Sequence, residues 1–180
     1  MFSNYKNLLE QRIIKNVESI LEDLDQIFSK YNINYCVIGG VALYRYNYIR
    51  MTTDIDILVD KKDMTKLSNI PIGFLKQLSR TLRKFKHQDS GTEIDILFSG
   101  DHAGNKQGIE YLKPQVISKD HIIDLEYLVA YKVSSGLYGQ RYKDYGDVQE
   151  LIKRNNLPQD YLKGFPIDIE TEYKQIWNKS

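Results

Sequence analysis

The sequence predicts an α+β fold, a mixed β-sheet with flanking helices and a helical C-terminal extension. Three observations predict it. Short runs of β-rich or period-two sequence fall between about residues 34 and 118. Helical period fills both ends of the chain instead. The strand-like runs do not alternate regularly with long helices, which argues against a parallel βαβ array. The 180 residues suit a single domain, with a sheet core over about residues 30–120 and a helical part over 121–180.

Taken in order, residues 1–30 place Leu8, Leu9, Ile13, Val17, Ile20, Leu21, Leu24 and Ile27 at three- and four-residue steps, an apolar stripe with charges opposite. Asn4 and Asn32 are the start and stop signals of that helix. Residues 35–38 read as a strand, Gly39-Gly40 as its exit turn and residues 41–48 as a short helix. In the strand over 53–59, Asp54 and Asp56 face one side while Ile55 and Ile57 face the other. Residues 64–68 predict a short helix, punctuated by Pro71 and Gly73. Residues 74–85 predict another, with Phe74, Leu75, Leu78, Leu82 and Phe85 on one face. A third strand spans 92–98 and sets Glu93, Asp95 and Leu97 on one face. Residues 99–108 are a polar loop and 116–118 an edge strand. From Asp124 onward the pattern is helical. One helix carries Leu125, Leu128, Val129, Lys132 and Val133; a second, over 144–154, carries Val148, Leu151 and Ile152. Pro158 and Pro166 break the tail, which Tyr173, Ile176 and Trp177 close.

Composition excludes several classes. Hydrophobic residues at 42% and charged residues at 27% rule out wholesale disorder. The net charge of +1 excludes a uniformly basic coat, though not a local patch. The single Cys36 excludes a disulfide scaffold and reads as a small buried hydrophobe, so a reducing cytoplasm is the expected location. No apolar run reaches the roughly 20 residues of a membrane span, and the charged N-terminus does not read as a signal peptide. His87, His102 and His121 lack zinc-ligand spacing and read as surface residues. Neither a P-loop nor a Gly-x-Ser-x-Gly elbow occurs.

Chemistry concentrates in residues 38–57. A glycine pair at a strand exit lets a ligand approach the backbone, and helix N–H groups beyond it suit a phosphate. Two carboxylates two apart on a strand point the same way, as a hard divalent cation requires of its oxygen ligands. If the third strand lies alongside with the same facing, Asp95 joins Asp54 and Asp56. Three such carboxylates repel one another unless cations intervene, and no Lys or Arg stands between the first two. Each piece alone is weak, because Gly-Gly marks many turns and alternating acids mark many surface strands; their combination is what points to chemistry.

These residues resemble the nucleotidyltransferase superfamily built on the DNA-polymerase-beta palm. The likeness is carried by Val37-Ile38-Gly39-Gly40, Asp54-Ile55-Asp56 and the later Asp95, with Gly40 where many members have serine. The spelling from Arg50 and Thr52 to Asp56 looks most like the minimal, abortive-infection toxin branch, and Lys132 with the Arg141-Tyr142-Lys143-Asp144 segment matches that branch too. The resemblance implies transfer of a nucleoside monophosphate from a nucleoside triphosphate to an acceptor hydroxyl. It implies two Mg²⁺ ions on Asp54, Asp56 and Asp95, with Asp95 also drawing the acceptor proton. Gly39, Gly40, Arg50, Thr52 and Lys132 would hold the nucleotide, and Lys132 and Asp144 would serve catalysis. A partner antitoxin protein is implied as well. Competing readings are a noncatalytic member of the fold, an RNA-binding module and a sugar-nucleotide transferase using Asp-x-Asp.

Residues 61–88 hold Lys61, Lys62, Lys66, Lys76, Arg80, Arg83, Lys84 and Lys86 against the single acid Asp63. On the predicted helix, Lys76, Arg80, Arg83 and Lys84 would line one face. They read either as a solvated surface or as a contact for the phosphate backbone of an RNA acceptor.

Overall fold

A computed structural model describes residues 2–71 and 73–180, with side chains described from residue 14 onward except at 72. Helix α1 (Phe2–Lys30) opens the chain. The Asn4 cap and the Leu8, Leu9 and Ile13 part of the stripe lie outside the described side chains. Asn32 adopts the left-handed conformation, φ 50°, just past the helix, a geometry asparagine tolerates well.

Strand β1 (Tyr35–Ile38) leads into the one-turn helix α2 (Gly39–Ala42) and a 3₁₀ turn over Leu43–Tyr46. Strand β2 (Asp54–Val59) follows, then 3₁₀ turns across Lys61–Asn69. Strands β3 (Leu75–Gln77), β4 (Lys84–His87) and β5 (Glu93–Phe98) complete the sheet. Its order is β1-β2-β5-β4-β3. Only the β2–β5 pair is parallel; the other three are antiparallel. After α3 (Pro114–Ile117), the helices α4 (Leu125–Gly139), α5 (Lys143–Asn155) and α6 (Ile167–Trp177) end the chain.

Alternation along β2 and β5 sorts the molecule into layers. Ile55, Ile57, Val59, Ile94, Ile96 and Phe98 point to one face, where Ile20, Leu24, Ile27 and Phe28 of α1 cover them. On the opposite face Cys36, Ile38 and Leu58 pack under α4, α5 and α6 through Val129, Val133, Val148, Leu151, Ile169 and Tyr173. Asp54 and Asp56 share parity with Leu58 and Asp95 is the register partner of Asp56, so all three face the side of the C-terminal helices. Cys36 is fully buried.

Three expectations are corrected. Residues 74–85 form no helix but the arm and turn of the β3–β4 hairpin. The Ser79 hydroxyl accepts from the backbone N–H of both Arg83 and Lys84, and Leu82 takes a φ of 58°. A serine that bonds the backbone locally competes with helix, so Leu75 and Phe85 are buried while Phe74 and Leu78 stay exposed. The predicted edge strand at 116–118 belongs mostly to α3, because Pro114 fits the first turn of a helix; only Ser118 makes a β-bridge, to Ile123. His87 is buried rather than on the surface, its ring nitrogens paired with Asp23 and Ser90. Among the described residues no helix is long and apolar enough to cross a membrane.

Candidate active site

The register of the sheet assembles the acids. Asp56 lies directly opposite Asp95 across the parallel β2–β5 pair, and Asp54 lies opposite Glu93. The Thr52 hydroxyl donates to Asp54 Oδ1 at 2.9 Å, fixing that carboxylate from the loop before the strand. Gly39 adopts φ +66°, and a Cβ there would stand 2.0 Å from Asp56 Oδ2. At Gly40 a Cβ would meet Thr52 Oγ1 at 3.0 Å. The glycine pair therefore makes room for the protein's own carboxylate and threonine.

Burial first, then the charges of Asp54 and Asp95, push the Asp56 carboxyl up to about 6, against the opposing pull of Arg141 and Lys132. The fold also supplies a cation that the sequence between the acids lacks. Lys84 of β4 is the register partner of Asp95. Its Nζ stands 2.9 Å from Glu93 Oε2 and 3.3 Å from Asp95 Oδ1. The latter oxygen is shielded from solvent and has no hydrogen-bond partner, so its contact with Lys84 is ionic.

A cleft with about 640 Å³ of open space, its solvent mouth included, lies between the sheet and the C-terminal helices. Gly39, Gly40, Arg50, Thr52, Asp54 and Asp56 line one wall; Lys132, Ser135, Arg141, Lys143 and Asp144 line the other. Leu97, Tyr111 and Tyr131 contribute to its apolar lining. Asp95 is next to Asp56 but does not line the cleft.

The second wall is a buried ion-pair network. Lys132 Nζ donates to Asp144 Oδ1 at 3.0 Å and to Asp147 Oδ2 at 2.6 Å. Arg50 closes a fork on Asp147, Nε to Oδ1 at 2.9 Å and Nη2 to Oδ2 at 3.1 Å. Arg141 Nε stands 3.5 Å from Asp144 Oδ2. Burial pushes the Asp144 carboxyl up, but Lys132 beside it outweighs this and holds it below the usual carboxylate range. Asp144 is thus a buried acid facing the cleft. Asp147 was not singled out by motif; the signal was present as Asp144-x-x-Asp147, two acids three apart and hence on one face of a predicted helix.

Oxygen-only carboxylates on one sheet face suit a hard divalent cation. The solvent-shielded Asp95 oxygen, without a hydrogen bond though beside Lys84, fits such an ion chemically. Among the described residues, however, no group of three or more His, Cys, Asp or Glu side chains converges tightly enough to hold one. The carboxylate side chains would have to draw together, with Asp95 turning from Lys84.

Half of the eight basic residues of 61–88 are ion-paired within the chain. Lys62 pairs with Asp60, Lys66 with Asp63, Arg83 with Asp101, and Lys84 with Glu93 and Asp95. Lys76 and Lys86 stand opposite each other on β3 and β4, on the carboxylate face of the sheet.

No family model matches the sequence, and no curated protein matches it. Among solved structures, the chain is similar to the antibiotic-resistance factor ANT(2'')-Ia, an aminoglycoside nucleotidyltransferase, known from its solution structure. The two share 10% identity at a TM-score of 0.52 over 92% of each chain. Identity this low speaks to architecture alone, and on that ground the five-stranded mixed sheet with its flanking helices is a nucleotidyltransferase-like fold.

Proposed function

We propose that the protein transfers a nucleoside monophosphate from a nucleoside triphosphate to an acceptor hydroxyl. The observation that carries this reading is the pairing of Asp56 with Asp95 on parallel neighbours, with Asp54 two residues away, at a cleft whose far wall is cationic. Asp54, Asp56 and Asp95 would hold Mg²⁺, two ions in the full reading, which when bound would neutralise the triphosphate and polarise the phosphorus under attack. Thr52 keeps Asp54 in place, and the glycine pair keeps space around Asp56. Arg50, Lys132, Arg141 and Lys143 supply the positive side chains of the cleft that suits the phosphates. In the transfer, the acceptor oxygen bonds to the α-phosphorus and the bond to the bridging oxygen breaks. Pyrophosphate leaves with that electron pair, and Asp95, once turned from Lys84 toward the cleft, would take the hydroxyl proton.

The test is label transfer from each of four α-labelled triphosphates into total RNA, cell protein or aminoglycosides, with Mg²⁺ present. Wild-type protein is expected to label one acceptor class, and Asp56→Ala to abolish the labelling. Full transfer by Asp56→Ala would falsify the metal assignment. An RNA acceptor would run past Lys76 and Lys86, and its affinity would fall steeply with salt. The spelling around Arg50 and the Arg141–Asp144 segment lead us to place the chain in the toxin branch with a neutralising partner protein. We place it in the cytoplasm, where a lone buried thiol stays reduced.

The Lys84 contact favours a second reading, a noncatalytic member of the fold in which a lysine permanently satisfies the third carboxylate. Tight nucleotide binding with no label transfer to any acceptor would select it.

A further inference from the structure

Charge counting among the cleft's cations and the acids that hold them separates the side chains into two sets. Arg50, reaching across from the sheet wall, and Lys132 bring two positive charges, and Asp144 and Asp147 bring two negative ones. All four are joined by hydrogen bonds of 2.6 to 3.1 Å. Lys132, Asp144 and Asp147 are each at least nine-tenths buried. Lys132 spends two of its three donors on carboxylates, and Arg50 has its Nε and one terminal nitrogen committed to the fork. These cations are compensated and geometrically fixed.

Arg141 and Lys143 remain. Both line the cleft and both are exposed. Arg141 approaches Asp144 at 3.5 Å through Nε, and among the described residues its terminal nitrogens make no hydrogen bond. Lys143 makes no ion pair among the described residues. It also opens α5, and a lysine in the first turn works against the helix dipole, so stability does not explain its place. The uncompensated positive charge of the wall therefore resides on the segment joining α4 to α5, across the cleft from Asp54 and Asp56.

Resting on the nucleotide reading above, we propose that Arg141 and Lys143 make the direct contacts with the ligand's phosphates, while Lys132 and Arg50 are positioning residues, held by Asp144 and Asp147 to join the C-terminal helices to the sheet. The ligand chemistry is a polyphosphate. Arginine supplies a planar fork for two of its oxygens and lysine a mobile point charge.

The experiment is calorimetric titration with Mg²⁺ and two probes, inorganic tripolyphosphate and each of the four nucleoside triphosphates, alongside thermal melts. Arg141→Gln/Lys143→Gln is expected to keep the wild-type melting temperature and to lose roughly tenfold or more in tripolyphosphate affinity, as loss of charge-assisted bonds implies. Asp147→Asn is expected to melt lower yet bind tripolyphosphate more tightly, because it removes the negative charge that compensates Arg50 and one of the two that compensate Lys132. Unchanged tripolyphosphate affinity in the double variant overturns the inference, as does a fall in Asp147→Asn that matches the double variant. Wild-type protein that binds tripolyphosphate but none of the nucleotides sinks the proposed function while leaving the phosphate contacts standing. Wild-type protein that binds neither probe sinks both.

Discussion

Asp56 is placed where ionisation is costly. Its carboxyl is raised from 3.8 to about 6, so the folded chain holds that proton more tightly than the unfolded one does. Stability from this group is present at acid pH and is lost as pH rises through the window between those values. At pH 8 in a chelator, Asp56→Asn should therefore stabilise the protein by about 1–3 kcal/mol. The melting temperature would rise by about 2–4 °C per kcal/mol at this chain length. A melt showing a loss instead would mean that the carboxylate is already compensated. Gly39→Ala should act in the opposite direction. The left-handed backbone and the Cβ set against Asp56 Oδ2 should cost about 1–3 kcal/mol and displace the acid, so both stability and label transfer should fall.

At the scale of elements, α1 matters through the face it covers. Leu24 is fully buried among the isoleucines of the sheet, and Leu24→Ala should cost about 2–5 kcal/mol in a denaturant titration. The 3₁₀ turns after β2 are tied by Asp63, which accepts from Asn34 N at 3.0 Å and Asn34 Nδ2 at 2.7 Å and pairs with Lys66. Burial pushes the Asp63 carboxyl up, yet Lys66 and Asn34 outweigh it and hold it below the ordinary value. Its contribution is present above the unfolded carboxylate value and disappears as pH falls through the depressed one. Asp63→Ala should therefore melt lower at pH 7, and its deficit against wild type should shrink on acidification.

What the sequence revealed follows from the range of each interaction. β2 and β5 were legible because alternation is a local signal, and the common facing of Asp54 and Asp56 followed from it; that Asp95 shares their face came only with the β2–β5 register. The β3–β4 hairpin was not. Its leucines mimic helical spacing, and what decides against the helix is the pairing of β3, β4 and β5, with the Ser79 hydroxyl bonded back to the chain at the turn. Lys84 and Asp147 were hidden for another reason. Lys84 meets Asp95 only after strand pairing, and Arg50 meets Asp147 across 97 positions of sequence. Long-range contacts of that kind leave no periodic trace.

For the whole molecule, the cleft is a seam between the sheet and the C-terminal helices, bridged by the Arg50–Asp147 fork. A ligand touching Asp54 and Asp56 on one wall and Arg141 on the other would add a second bridge. A nucleotide at a hundred times its dissociation constant should stabilise the fold by about 2.7 kcal/mol. Amide exchange should slow in α5 as well as in β2, and protection confined to β2 would show that the ligand spans only one wall.

The alternation along β2 has a consequence for descent. Inserting or deleting a single residue within Asp54–Val59 would rotate the remainder of the strand by half a turn, driving carboxylates into the oily layer beneath α1 and presenting isoleucine to the solvent-filled groove. Lineages of this protein are therefore freer to lengthen the exposed hairpin tip at residues 80–81, but in β2 they drift by exchange of one side chain for another.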